Sequence, residues 1–184
     1  RADGIFFNGC DQLRNTSQIG DSRLFQCMRQ RYLDGAVIAG TSAGAAAMPY
    51  TMIVGGPGDE SNRISALSMA PGLGMIDDVV IDSHFAERGR IGRLIGAVTQ
   101  NPRNLGVGID EATAIVVAHG QEFEVIGQGA VYVVDGARIS YSGLSETNPE
   151  GIVTVHDVTL HVLGAEDRFD LVERRPIKPV ERVD

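Results

Sequence analysis

No basic run, and no patch of aromatic residues interleaved with cations, offsets the acidity of this chain, which carries a formal net charge of −8. That excludes an ordinary nucleic-acid binder, which needs a positive footprint for the phosphate backbone. The acidity is compatible with a cationic substrate. Cysteine is scarce as well: Cys10 and Cys27 are too few for a disulfide framework and lack metal-ligand spacing. Compartment therefore stays open between cytoplasmic and secreted. No stretch approaches the roughly 20 apolar residues of a membrane helix, and no basic-then-apolar leader is visible. Internal repeats and low-complexity tracts are missing, and nothing marks a second domain. What is left reads as one soluble globular domain over residues 1–184, with 43% hydrophobic residues and enough chain to bury a core. The chain opens at Arg1-Ala2-Asp3-Gly4 and runs at once into Ile5-Phe6-Phe7. We read it as a fragment or processed form.

The most informative segment present is Gly40-Thr41-Ser42-Ala43-Gly44. It follows the apolar run Ala36-Val37-Ile38-Ala39 and precedes Ala45-Ala46-Ala47-Met48, which puts one serine at a strand-to-helix corner. Such a turn cramps the serine backbone, demands small neighbours, projects the hydroxyl and points the next N–H toward a developing oxyanion. A glycine-rich turn with an incidental serine produces the same bare pattern.

Alternating strand and helix signals fill the first part, and mostly strand signals the second. Ile5 to Phe7 reads as a buried strand ending in the loop Asn8-Gly9-Cys10-Asp11-Gln12. Asp21 to Leu33 reads as a helix with Leu24, Phe25, Met28 and Tyr32 near one face, stopped by Gly35 at a left-handed cap. Val54 to Gly74, rich in glycine, proline and serine, reads as a surface loop bordering the site. Val79-Val80-Ile81 is a strand delivering Asp82-Ser83-His84-Phe85. Ile91, Leu94, Ile95 and Val98 then form the single stripe of a helix that ends before Pro102. Leu105 to Ile109 is the next strand and delivers Asp110-Glu111. Ala114–Ala118, Phe123–Ile126, Val131–Val134 and Ile152–Leu163 read as antiparallel strands.

Ser42, His84 and Glu111 each fall just past the C-terminal end of a strand, where open α/β sheets hold their active sites. A hydroxyl, an imidazole and an orienting carboxylate are the set that acyl transfer needs. Asp110 competes with Glu111 for the orienting role, and His84 has the alternative of a loop histidine bonded to Asp82. His119, His156 and His161 lie in the strand-rich tail and are expected to be solvated or packed. Arg88, Arg90 and Arg93 cluster where cations oppose the helix dipole, and substrate carboxylates would explain them. The order Ser, His, acid differs from the Ser, acid, His order of α/β-hydrolases.

Gly-Thr-Ser-Ala-Gly at 40–44, Asp-Ser-His-Phe at 82–85, Glu-Arg-Gly-Arg-Ile-Gly-Arg-Leu at 87–94, Asn-Pro-Arg-Asn-Leu-Gly at 101–106 and Gly-Ile-Asp-Glu at 108–111 together resemble the cyanophycinase family. The resemblance runs from about Asp3 to Tyr141. It implies a three-layer α/β/α, class I glutamine amidotransferase-like (flavodoxin-like) sheet with a strand-rich C-terminal part. It also implies a cofactor-independent, metal-free serine exopeptidase that cuts cyanophycin to β-Asp-Arg dipeptides, and commonly a homodimer. The implied roles are Ser42 nucleophile, His84 general base and acid, and Glu111 orienting acid. The implied substrate contacts are Gln12, Asp82, Ser83, Arg88, Arg90 and Arg93, with Asp82 pairing the substrate guanidinium and the arginines clamping its carboxylate. A backbone amide at Gly9 and Cys10 would complete the oxyanion hole with Ala43.

The chain departs from the family pattern in three places. Cys10 stands where the family usually has glycine, a strain if positive φ is needed there. Ser83 stands where glutamine is common. The family's first strand-helix-strand portion is not part of the sequence. Rival readings are an aspartyl dipeptidase and a catalytically silent binding module of the same fold.

Overall fold

The computed structural model describes residues 2–55, 67–148 and 151–178. Its elements in chain order are β1 (Gly4–Phe7), α1 (Gln12–Ile19), α2 (Arg23–Leu33), β2 (Val37–Gly40), α3 (Ala43–Ala46), β3 (Thr51–Gly55), β4 (Ser68–Pro71), β5 (Val79–Ser83), α4 (Ile91–Gln100) and β6 (Leu105–Ile109). There follow β7 (Thr113–Ala118), β8 (Glu122–Gly127), β9 (Val131–Asp135), β10 (Tyr141–Ser142), β11 (Val155–His156), β12 (Thr159–Leu163), β13 (Arg168–Asp170) and β14 (Arg175–Ile177). The result is a mixed α/β molecule with several sheets and few helices. Among the described residues, no helix is long and apolar enough to cross a membrane.

β1 and β2 pair in parallel, Gly4 opposite Val37 and Phe7 opposite Gly40. The four-stranded sheet β12-β9-β6-β5 carries the centre of the fold, with β5 and β6 parallel and β9 and β12 antiparallel. Val79–Asp82 and all of β6 are buried, as expected of strands covered on both faces. On one face Leu94, Ala97 and Val98 of α4 meet Val80 and Val134. The other face packs Val79, Ile81, Val107 and Val133 against Phe123 and Phe169 of a second sheet, β14-β13-β8-β7, where the two rings stack at 5.6 Å. His161 lies edge-on to Phe169 at 5.4 Å, and His119 and His156 are exposed. The tail histidines thus pack or meet water.

Several elements differ from expectation, each for a local reason. α1 occupies part of the expected loop: Asp11 caps it by accepting from the Arg14 N–H, but it buries no residue, so no apolar stripe announces it. α2 starts at Arg23 rather than Asp21 because the Ser22 hydroxyl accepts from the Phe25 N–H at 3.1 Å. Its far end agrees with expectation, with Gly35 at φ 95°. Leu24 is solvent-exposed instead of packed. The expected loop from Val54 to Gly74 is in fact rooted in the β3–β4 hairpin, and Leu67 and Leu73 are buried. Its middle, 56–66, lies outside the described residues. The expected strand Ile152–Leu163 is two shorter ones, β11 and β12, broken where Asp157 adopts φ 62°.

Candidate active site

β2 ends at Gly40, and the chain turns so sharply that Ser42 adopts φ 51°, ψ −120° before α3 begins at Ala43. A non-glycine residue there stores roughly 1–3 kcal/mol of strain. The flanking glycines explain how the corner closes. A Cβ on Gly44 would lie 2.3 Å from the Phe7 carbonyl oxygen, and one on Gly40 would lie 2.7 Å from the Gly44 carbonyl carbon. The turn therefore presses directly on the end of β1. The loop after β1 lies beside the serine as well, since a Cβ on Gly9 would sit 3.1 Å from the Ser42 Cβ. Cys10 is not among the non-glycine residues at positive φ, so the cysteine meets none of the backbone strain expected for it.

β5 delivers His84, also strained at φ 52°. Its Nε2 lies 3.0 Å from the Ser42 Oγ and its Nδ1 lies 2.8 Å from the Glu111 Oε1, supplied by the end of β6. The three side chains, separated by 42 and 27 positions in sequence, form one continuous relay. His84 does not bond to Asp82 in place of this relay. Asp110 is excluded from the orienting position because its two oxygens accept from the Ala86 and Ala130 N–H groups at 2.9 and 3.1 Å. Glu111 is 59% exposed, so its carboxylate faces solvent on the side away from the ring.

The arginines are arranged differently from expectation. Asp82 is 1% exposed. It accepts from Arg93 through both oxygens, at 2.6 Å from Nε and 2.5 Å from Nη2, and from Arg90 Nη1 at 2.9 Å. Its carboxylate is thereby committed to the chain's own cations and is not open to a substrate guanidinium, which corrects that expectation. The pairing also explains a cation inside the first turn of α4: Arg93 is held by a buried carboxylate, and no ligand is needed to account for it. Arg90 donates further to the Ser83 carbonyl at 2.5 Å. Burial holds the Arg90 guanidinium below its ordinary range, against the opposing pull of Asp82. Arg88 is exposed at the rim. The Gln12 amide donates to the Ile53 carbonyl at 2.7 Å.

Two cavities meet at Ser42 and His84. One, of about 260 Å³, is walled by Cys10, Gln12, Ala43, Asp82, Ser83 and the arginines 88, 90 and 93, so of the residues expected to touch substrate or oxyanion it gathers all but Gly9. The other, of about 900 Å³, runs along β2 to β7 and has mostly apolar walls, among them Ile38, Met75, Ile81, Ile109, Ile115 and Val116. Sequence reading did not anticipate it, because its walls come from five strands, two helices and the loops between them, far apart in sequence. Among the described residues no group of three or more His, Cys, Asp or Glu side chains is placed to hold a metal ion.

The model of peptidase family S51 matches residues 1–126. The chain is 40% identical to cyanophycinase of Trichormus variabilis over 181 residues, 98% of this chain and 61% of that protein. It is 41% identical to cyanophycinase of Geminocystis herdmanii over 174 residues, 94% of this chain and 64% of that one. It thus spans about three fifths of the length of the curated relatives it matches. A crystal structure of a peptidase from an acI-B1 Actinobacterium shares its fold, with a TM-score of 0.56 at 22% identity over 86% of this chain and 59% of that one.

Proposed function

The chain belongs to peptidase family S51, and from that premise we propose that it is a serine exopeptidase which hydrolyses cyanophycin to β-Asp-Arg dipeptides through an acyl-enzyme. The observation that carries this reading is the Ser42–His84–Glu111 relay at 3.0 and 2.8 Å, opening onto a pocket with three arginines. Relatives named cyanophycinase supply the substrate.

Ser42 Oγ attacks the scissile carbonyl carbon while His84 Nε2 takes its proton, and Glu111 accepts from Nδ1–H and stabilises the imidazolium. The carbonyl oxygen, now negative, receives the Ala43 N–H at the start of α3 and the Cys10 N–H from the facing loop. His84 returns the proton to the leaving amine as the C–N bond breaks, which leaves an ester on Ser42. A water, deprotonated by His84, then attacks that ester and regenerates the hydroxyl.

Each repeat of the polymer presents a guanidinium and a free carboxylate. In the small pocket Arg88, Arg90 and Arg93 outnumber Asp82, which favours the carboxylate as the group recognised there. Asp82 acts beneath them, fixing Arg90 and Arg93 so that their remaining N–H donors face the pocket. Gln12 and Ser83 complete the wall.

In the same reading the sheets belong to a three-layer, class I glutamine amidotransferase-like arrangement, and the active protein is a homodimer. Residues 1–184 form a single catalytic domain that further chain completes. The exposure of Phe6 and Val37 on β1 and β2 supports that completion.

Incubation of the protein with cyanophycin followed by mass analysis tests the function. Dipeptide release by the unaltered protein and none by Ser42→Ala is the expected result, with polymer binding retained. Turnover by Ser42→Ala would refute the assignment, and preference for a short α-aspartyl dipeptide over polymer would make the protein a dipeptidase.

A further inference from the structure

We propose that Glu87 and Asp110 are positioning residues, which clasp the corner carrying His84 to the corner carrying Glu111 and so set the length of the relay. The inference rests on the catalytic reading above.

Both corners are strained and wet. His84 has φ 52° and Ala112 has φ 51°, while Ala86, Glu87, Glu111 and Ala112 are all exposed. Phe85, buried against Gly108, roots the first corner on β6, but the exposed residues beyond it have no such apolar anchor, and hydrogen bonds set their separation. They run in both directions. The Ala86 N–H, two residues past the histidine, donates to Asp110 Oδ1 at 2.9 Å, and the Glu111 N–H donates to Glu87 Oε1 at 3.0 Å. Each corner thus supplies a carboxylate that accepts an amide of the other.

Two further contacts tie the clasp to the rigid sheet. Asp110 Oδ2 accepts from the Ala130 N–H at 3.1 Å beside β9, and the Phe85 N–H donates to the Ile109 carbonyl at 3.2 Å. Neither acid touches the Ser42 hydroxyl or the imidazole. Their effect is on where those groups stand: Glu87 holds the backbone of a residue whose own carboxylate has water on one side and His84 on the other. Misplacement of a catalytic group by about 1 Å can cost on the order of 10²-fold in rate. Loosening one arm of the clasp is expected to cost less.

The rate of covalent labelling of Ser42 by a fluorophosphonate probe, measured beside cyanophycin turnover, tests this without depending on the polymer. Glu87→Ala should lower both the limiting labelling rate and kcat about tenfold while KM stays within about twofold. Glu87→Gln, which keeps an oxygen able to accept the Glu111 N–H, should recover most of that loss. Asp110→Asn, which turns one of two acceptors into a donor, should lose about as much as Glu87→Ala. If Asp110→Asn fails to fold by circular dichroism, the exposed Glu87 pair decides alone. Labelling of Glu87→Ala at the unaltered rate, a Gln variant as slow as the Ala variant, or a loss confined to KM would each overturn the proposal. Normal labelling of the unaltered protein without cyanophycin turnover would sink the substrate reading and leave the clasp judged by its labelling rates. An unaltered protein that takes no label would overturn both.

Discussion

On one side of the Ser42–His84 pair lies a pocket of about 260 Å³ walled by three arginines and a buried aspartate, and on the other a cavity of about 900 Å³ walled mainly by aliphatic side chains. The larger space offers area without orientation, since apolar walls attract without fixing an angle or a register. In the smaller one, two of the three cations have a fixed direction. Arg93 is locked side-on to Asp82, Arg90 is held by both Asp82 and the Ser83 carbonyl, and Arg88 stands free at the mouth. For the polymer we propose as substrate, whose every repeat bears charge, directed charge outweighs volume.

The largest expected effect that would break this contrast is on the buried carboxylate. Asp82→Ala leaves two cations facing each other in a largely dry setting, and breaking a buried pair in this way costs about 3–5 kcal/mol. Denaturant unfolding should register that loss together with collapse of activity, and a variant of unchanged stability would mean that the pocket is wetter than its geometry indicates. Arg88→Ala comes next. A charge-assisted hydrogen bond to a substrate carboxylate is worth roughly 1.5–3 kcal/mol, so KM for cyanophycin should rise about tenfold to a hundredfold with kcat little changed. Arg88→Lys should recover part of it, as a point charge without the planar fork. An unchanged KM for Arg88→Ala would remove the carboxylate from that rim. The smallest effect belongs to the other side: Val116→Ser alters a half-exposed wall of the large cavity and should leave stability within about 0.5 kcal/mol and KM within about twofold. A large shift in KM there would invert the comparison and make the apolar cavity the substrate path.

The relay was legible in the sequence because each member follows a strand that announces itself. Val79–Ile81 and Leu105–Ile109 are apolar runs with a polar break at the end, and the serine sits between a strand and a run of alanines. The Asp82–Arg93 pairing was not legible. Eleven positions apart on a strand end and a helix, the two meet only when α4 folds back over β5, and no periodicity encodes that distance. α1 escaped notice because its eight residues bury nothing, although the Asp11 cap was a usable signal. β13 and β14 escaped because three residues are too few to display alternation, and Phe169 alone anchors them in the core. The choice between Asp110 and Glu111 turned on which carboxylate the backbone amides had already claimed, a matter of three-dimensional neighbours that adjacent acidic letters cannot express.

The close approach of Gly44 to the Phe7 carbonyl has a consequence for how this protein is free to change. Because the turn at Ser42 bears directly on the end of β1, the serine and the loop at Gly9 and Cys10 form a single mechanical piece. Adding even a methyl group at that junction would wedge the two segments apart. On the proposed reading, variation in what is cleaved is therefore accommodated more readily at the guanidinium-lined wall than at this junction.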